Sequence, residues 1–272
     1  MMFFRTAYFD VKNSFNLEWK KLLVVPIGFL TVCFPFYLRY AKKGVGTFGD
    51  FWLYIFGGMR ACVRGEAFEF PVIWTVVFLY LFYITLYYPY NDLLGFGLNV
   101  LVRSGSRFNW WLSKCFWNAF AVVMFFCLGL ASVALFCVFT GRPLSMEISS
   151  LVYTEVFEMA EDFVYPSSYT VGTLIGMPLL TAVAISQLQM LLSLWLRPIF
   201  SFGVTAAILI SSAYYLKPFM IGNYAMPVRY DAVVPNGVSL GIGVIILSAI
   251  IIACIVVGGI SFRYYDIINK EN

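Results

Sequence analysis

Residues 115–139 read CFWNAFAVVMFFCLGLASVALFCVF, an apolar run with no Asp, Glu, Lys, Arg or His in it. About 20 mostly apolar residues cover the roughly 30 Å of bilayer hydrocarbon, so this stretch is long enough to span. Working outward from it, comparable runs lie at 22–39, 71–90, 173–195, 199–216 and 238–262, one of the six being slightly short. They are continuously apolar and lack the period-two alternation of a lipid-facing strand, which makes them helices and not barrel strands. Composition agrees: of 272 residues, 61% are hydrophobic, 19% aromatic and 12% charged, with a mean hydropathy of +0.84. A soluble domain could not hide that surface. The expected fold is an all-α integral membrane protein of six transmembrane helices. Leu196, Arg197 and Pro198 mark the narrow boundary between the fourth and fifth spans, since Pro interrupts the helical hydrogen-bond ladder.

The first 20 residues carry a pattern of their own. Phe4, Tyr8, Val11, Phe15 and Trp19 recur at helical spacing, with Thr6, Asn13, Asn16 and Lys20 on the other face. Residues 1–20 therefore read as an amphipathic elbow helix lying in the membrane interface, and 21–272 as a six-span membrane domain. Lys20 and Lys21 precede the first apolar run, that run is too long for a signal h-region, and no small-residue cleavage site follows it. The first span is expected to stay as an uncleaved anchor.

Orientation follows the Lys and Arg distribution. With the N terminus inside, the inner segments hold ten basic against five acidic side chains, and the outer segments eight against nine. Both termini are expected to be cytoplasmic. The outer loop at 40–70 brings Phe51, Trp52, Tyr54 and Phe56, which suit the headgroup belt. The segment 141–172 contains a helix-like stretch from Met146 to Val164 whose Glu155, Glu158, Glu161 and Asp162 would form an acidic cap or simply a solvated face. Six scattered cysteines without a CxxC pair read as small core hydrophobes, Cys62 alone lying clearly in an outer loop.

Absences narrow the chemistry. Without His, a Cys pair or clustered carboxylates at depth, a metal site has no plausible ligand set. Ser186, Ser193 and Ser201 have no base to activate them. None of the six runs places an Asp, Glu, His, Lys or Arg at mid-membrane, which disfavours an ion-coupled carrier. No Gly-Lys dipeptide occurs, so the chain has no phosphate-cradling GxxxxGK[ST] loop and cannot itself be the ATPase. No nucleic-acid partner is expected.

The most informative positive feature is the basic, Trp-rich segment Arg103-Ser104-Gly105-Ser106-Arg107-Phe108-Asn109-Trp110-Trp111-Leu112-Ser113-Lys114 between the second and third spans. Its Trp pair, with Trp19, reads as a set of interfacial anchors. Later in the chain come Gly222-Asn223-Tyr224 with Met226 and Arg229, and the tail Tyr265-Asp266-Ile267. The order of these parts over essentially the whole chain resembles a permease subunit of an ATP-binding-cassette (ABC) transporter of the type-2 exporter class. The resemblance rests on their order and on the hydropathy profile, the single motifs being short.

What the resemblance implies is a multi-pass protein of the bacterial cytoplasmic membrane, not itself an enzyme. It would be served by two copies of a cytosolic ABC ATPase, which bind ATP and Mg, and by a second permease subunit, identical or related, within membrane lipid. Leu98, Asn99, Arg103, Ser104, Ser106 and Arg107 would form the coupling loop, and Gly222, Asn223 and Tyr224 the outer gate. Tyr80, Tyr83, Tyr87, Gln187 and Gln189 would line the translocation path, although packing explains a Tyr stripe equally well. The cargo would be a peptide or an amphiphile, as in bacteriocin or antimicrobial-peptide export or immunity. The competing readings are a secondary carrier and a membrane scaffold or assembly factor without an ATPase.

Overall fold

The computed structural model describes residues 2–61, 68–95, 106–159 and 171–265. Among these the chain is helical, with a single isolated bridge between Tyr230 and Val238. The helices are α1 (Met2–Tyr40), α2 (Phe48–Phe56), α3 (Val72–Leu86), α4 (Tyr88–Leu94), α5 (Arg107–Thr140), α6 (Ser150–Glu155), α7 (Met177–Leu192), α8 (Pro198–Tyr214) and α9 (Leu240–Arg263). A π-helical turn at Gly172–Gly176 leads into α7, and 3-10 helices at Ile221–Ala225 and Pro227–Arg229 link α8 to α9.

Five segments are long and apolar enough to cross a membrane: Glu18–Lys43, Val72–Leu93, Arg107–Thr140, Gly172–Leu192 and Leu240–Arg263. The remaining predicted span is α8, whose 17 residues reach about 25 Å at 1.5 Å per residue. Helix α7 is the hub, packed on α5, α8 and α9, while α1 lies along α5. The hub is 72% buried over its spanning window and α9 only 17%. Ile245, Ile252 and Ile260 of α9, and Leu23, Ile27, Phe34 and Leu38 of α1, are more than half exposed. Contiguous apolar surface of this kind needs a lipid or protein cover.

Three sequence expectations change. The junction expected near residue 20 is not a break: α1 runs unbroken for 39 residues, about 58 Å, through Pro26 and Pro35. The inward face of its first half is polar but is not the predicted polar face, of which Thr6 is buried, Asn13 half-buried and Lys20 exposed. Thr6, Asp10 and Ser14 are buried, whereas Phe4 and Tyr8 are at least 70% exposed. Second, Phe51, Trp52 and Phe56 are not a headgroup belt. They lie on α2, which is buried on nearly every face, with the Trp52 indole donating to the Leu174 carbonyl at 2.7 Å. Third, α5 begins at Arg107, eight residues before the predicted start, so Trp110, Trp111 and Lys114 belong to the helix.

Buried α2 solves its own end problem. The first turn of a helix leaves backbone N–H groups without intrahelical partners. Here Asp50 and Thr47 form a reciprocal capping box, while the Phe48 and Gly49 amides donate to the Pro143 and Ser145 carbonyls at 3.1 and 3.0 Å. Asp50 also accepts from the Ser149 amide and hydroxyl, both at 2.7 Å. The loop after α5 is thereby fastened to α2. Of the predicted Met146–Val164 helix, Ser150–Glu155 is helical as α6. Glu155 and Glu158 pair with Lys43 and Arg60, so these two carboxylates bind loops together; Glu161 and Asp162 lie outside the described residues.

Candidate functional site

The start of α1, the α4–α5 junction and the end of α9 meet at one end of the bundle, hereafter the terminal end. Its centre is Lys114, with no exposed side-chain surface. The ammonium donates to Asp10 Oδ1 at 2.6 Å and to Asp92 Oδ2 at 2.5 Å, both carboxylates being at most 3% exposed. It also sits over the Tyr88 and Trp110 rings, 5.1 and 4.9 Å from their centroids. Ser113 donates to Asp10 Oδ2 at 2.7 Å and Tyr88 to the Asp10 carbonyl at 3.0 Å. Each acid comes from a different helix, so the lysine ties α1 and α4 to α5. An isolated charge buried this way would be prohibitive; paired and hydrogen-bonded it persists, and removing one partner is what becomes costly.

Burial holds the Asp10 carboxyl above the ordinary carboxylate range. Lys114 and the Ser113 hydroxyl pull it down, and the negative charge of Asp92 adds to the rise. Asp92 keeps one oxygen, Oδ1, buried without a hydrogen-bond partner.

Immediately beside this cluster, α5 is joined to α9. The Trp110 ring stacks on Phe262 at 4.6 Å, the Trp111 indole donates to the Ile255 carbonyl at 3.1 Å, and Arg107 donates to the Tyr265 carbonyl at 2.7 Å. The close approach depends on the Gly258-Gly259 pair. A Cβ on Gly258 would stand 2.1 Å from the Trp111 ring, and one on Gly259 2.6 Å from Phe108. Comparison with protein-family models, with curated proteins and with solved structures returned no match.

The predicted site residues fall into distinct places. Ser106 caps α5, its Oγ accepting from the Asn109 amide at 3.3 Å, and Arg107 clamps the end of α9. Leu98, Asn99, Arg103 and Ser104 lie outside the described residues, as do Cys62, Asp266 and Ile267. Trp110 and Trp111, read as interfacial anchors, are 3% and 1% exposed and pack inside the bundle; Trp19 is 43% exposed.

The two halves of the predicted path are not brought together. Gln187 and Gln189 are buried and hold helices: Gln187 donates to the Cys115 carbonyl at 2.7 Å, and Gln189 bridges the Phe82 carbonyl and the Thr205 hydroxyl, each at 3.0 Å. Asn118 and Ser186 complete this polar layer with a 2.7 Å bond. The Tyr stripe instead lies along the α1–α3 edge. Tyr80 donates to the Lys21 carbonyl at 2.8 Å, and the Lys21 ammonium sits 4.8 Å from the Tyr83 ring.

At the opposite, loop end, Gly222, Asn223 and Tyr224 form a buried 3-10 turn organised by Arg229, a residue with no exposed surface. Its guanidinium donates to the Met59, Ser212 and Ala213 carbonyls at 2.6–2.9 Å, to the Arg60 carbonyl at 3.3 Å and to Asn223 Oδ1 at 2.5 Å. Gly222 is required because a Cβ there would come within 2.7 Å of Ser212.

Sequence reasoning missed the ionic cluster. Lys114 stands one residue before an apolar run and looked like a loop charge, and its partners are 104 and 22 residues away. The one local signal was the polar spacing Thr6, Asp10, Ser14 on an otherwise apolar helix.

Proposed function

We propose that the chain is the transmembrane subunit of an ABC exporter, driven by a separate cytosolic ATPase and moving peptide or amphiphilic cargo, with the terminal end facing the cytoplasm. The observation that carries this reading is the clamping of both flanks of residues 95–106. The preceding flank is held through Asp92 to Lys114 and Asp10, and the following one through Arg107 and Trp111 to α9. A push on that segment would be delivered to α1, α5 and α9 together, as coupling to an ATPase requires. Differential binding of the ATPase to two arrangements of the bundle would then move cargo. The basic Arg103 and Arg107 supply contacts for such a partner.

The deciding experiment is purification of the tagged full chain in mild detergent with mass spectrometry and an ATPase assay of what accompanies it. A stoichiometric ATPase with vanadate-sensitive turnover, lost in the folded Arg103→Glu/Arg107→Glu variant, is expected. A chain that purifies alone under several gentle conditions would sink the proposal.

A second reading, an ion-coupled carrier, is favoured by the Asp10–Lys114–Asp92 cluster, because ionisable groups inside a helical membrane bundle commonly mark ion pathways. It requires transport that collapses with the ion gradient and persists after nucleotide depletion.

A further inference from the structure

We propose that Asp10, Asp92 and Lys114 form a binding site for a single proton, held on Asp10 Oδ2, and that release of this proton loosens the first half of α1 from the α4–α5 junction. Two independent features of the geometry lead there. The first is charge: two carboxylates and one ammonium leave a formal charge of −1 in a site almost without solvent exposure, and one proton makes it neutral. Uncompensated buried charge is costly, and groups in that position take up or lose a proton instead.

The second is a count of hydrogens. The Ser113 hydroxyl has one hydrogen but stands within hydrogen-bond distance of two acceptors, Asp10 Oδ2 at 2.7 Å and the Trp110 carbonyl at 2.9 Å. A hydroxyl oxygen can also accept. With the proton on Asp10 Oδ2, the carboxylic acid donates to Ser113 and Ser113 donates to Trp110, so both short contacts are satisfied. Asp10 Oδ1 remains the acceptor for Lys114, whose charge is then balanced by Asp92.

Every element packed against Asp10 contributes. Lys114 and Ser113 come from α5, Asp92 and the Tyr88 hydroxyl from α4. Of these, the ammonium, which Asp92 shares, and the donating hydroxyls favour an ionised Asp10, while burial and the Asp92 charge oppose it. Burial accordingly keeps the Asp10 carboxyl above its usual range.

Release is balanced simply. The proton leaves Asp10 Oδ2 for water at the terminal end, the Ser113 hydroxyl turns from the Trp110 carbonyl to the new carboxylate, and the site goes from neutral to −1. Two carboxylates then compete for one ammonium. The added charge sets Asp10 on α1 against Asp92 on α4 across the Lys114 they share, and this repulsion acts to part α1 from α4. This inference stands with or without an ATPase partner.

Infrared titration of the purified full chain tests it. The expected result is a protonated-carboxyl carbonyl band that survives well above the ordinary carboxylate value of about 3.9 and is lost in both Asp10→Asn and Asp92→Asn. The asparagine at position 10 can donate to Ser113 and accept from Lys114 as the acid does, and the wild-type titration needs no variant. Thermal unfolding gives a second readout. A carboxyl raised in the folded state makes that state bind more protons than the unfolded chain, so stability falls as pH rises from the ordinary value through the raised one. The wild-type midpoint should drop as pH rises above the ordinary carboxylate range, and Asp10→Asn should lose that dependence. A wild-type protein without the band, or a band that persists in either variant, overturns the proposal.

Discussion

The two ends of the bundle each bury a cation, and among the described residues the acceptors that hold it differ in kind. At the loop end, Arg229 is surrounded by backbone carbonyls and the Asn223 amide oxygen, all of them fixed dipoles. At the terminal end, Lys114 is held by two carboxylates, which can change charge. Dipoles of the peptide group do not titrate, so these contacts of Arg229 do not change with pH. Those within a cluster of ionisable groups do. The loop end is built to stay as it is, and the terminal end to respond.

The largest expected effect tests the rigid member of the pair. Arg229→Met would strip hydrogen bonds from at least three closely held buried carbonyls, at roughly 1–3 kcal/mol for each orphaned group. Loss of folded, monodisperse protein in detergent chromatography is the expected outcome. Arg229→Lys should not rescue it, because a point ammonium cannot reproduce the five-donor fork.

Lys114→Met comes next. Removing the cation from a buried pair costs about 3–5 kcal/mol, read as a drop in thermal midpoint. The sharper experiment is the triple variant Lys114→Met/Asp10→Asn/Asp92→Asn, which removes every charge at once. It should recover most of the loss. If the triple variant is no better than the single one, the terminal end is as rigid as the loop end and the contrast fails.

Asp50→Ala should cost about 1–3 kcal/mol. It removes a helix cap and the acceptor for Ser149, so limited proteolysis near residues 143–149 should rise before the bundle unfolds. The smallest effect belongs to Gln189→Leu. Side-chain hydrogen bonds between membrane helices contribute about 0.6 kcal/mol on average, so only a small shift of the thermal midpoint is expected.

The spans were legible because length and unbroken apolarity suffice to define them. The contents of their ends were not. A charge next to an apolar run looks the same whether it turns into solvent, as Arg197 does, or inward, as Lys114 does. Only a partner distant in sequence decides. The aromatic run around Trp52 met the composition of a headgroup belt, and what put it inside was the backbone of residues 143–147 capping α2, a contact no local pattern encodes. Periodicity put Phe4, Tyr8, Phe15 and Trp19 on one face of the first helix, and that face is the exposed one, because periodicity assigns two sides to a helix without saying which of them meets the protein. Gln187 and Gln189 were visible as polar residues in a span, but their acceptors are main-chain carbonyls, which every sequence possesses.

Helix α2 also orders events during synthesis. Its aromatic side chains are made early, yet their partners Phe126 and Leu174 come some 70 and 120 residues later. Until α5 and the π-helical turn before α7 have been made, a nine-residue apolar helix too short to span has only α1 and α3 to pack on. The interval before the fourth crossing is completed is therefore when a nascent chain is most open to quality-control proteases and to capture by membrane chaperones.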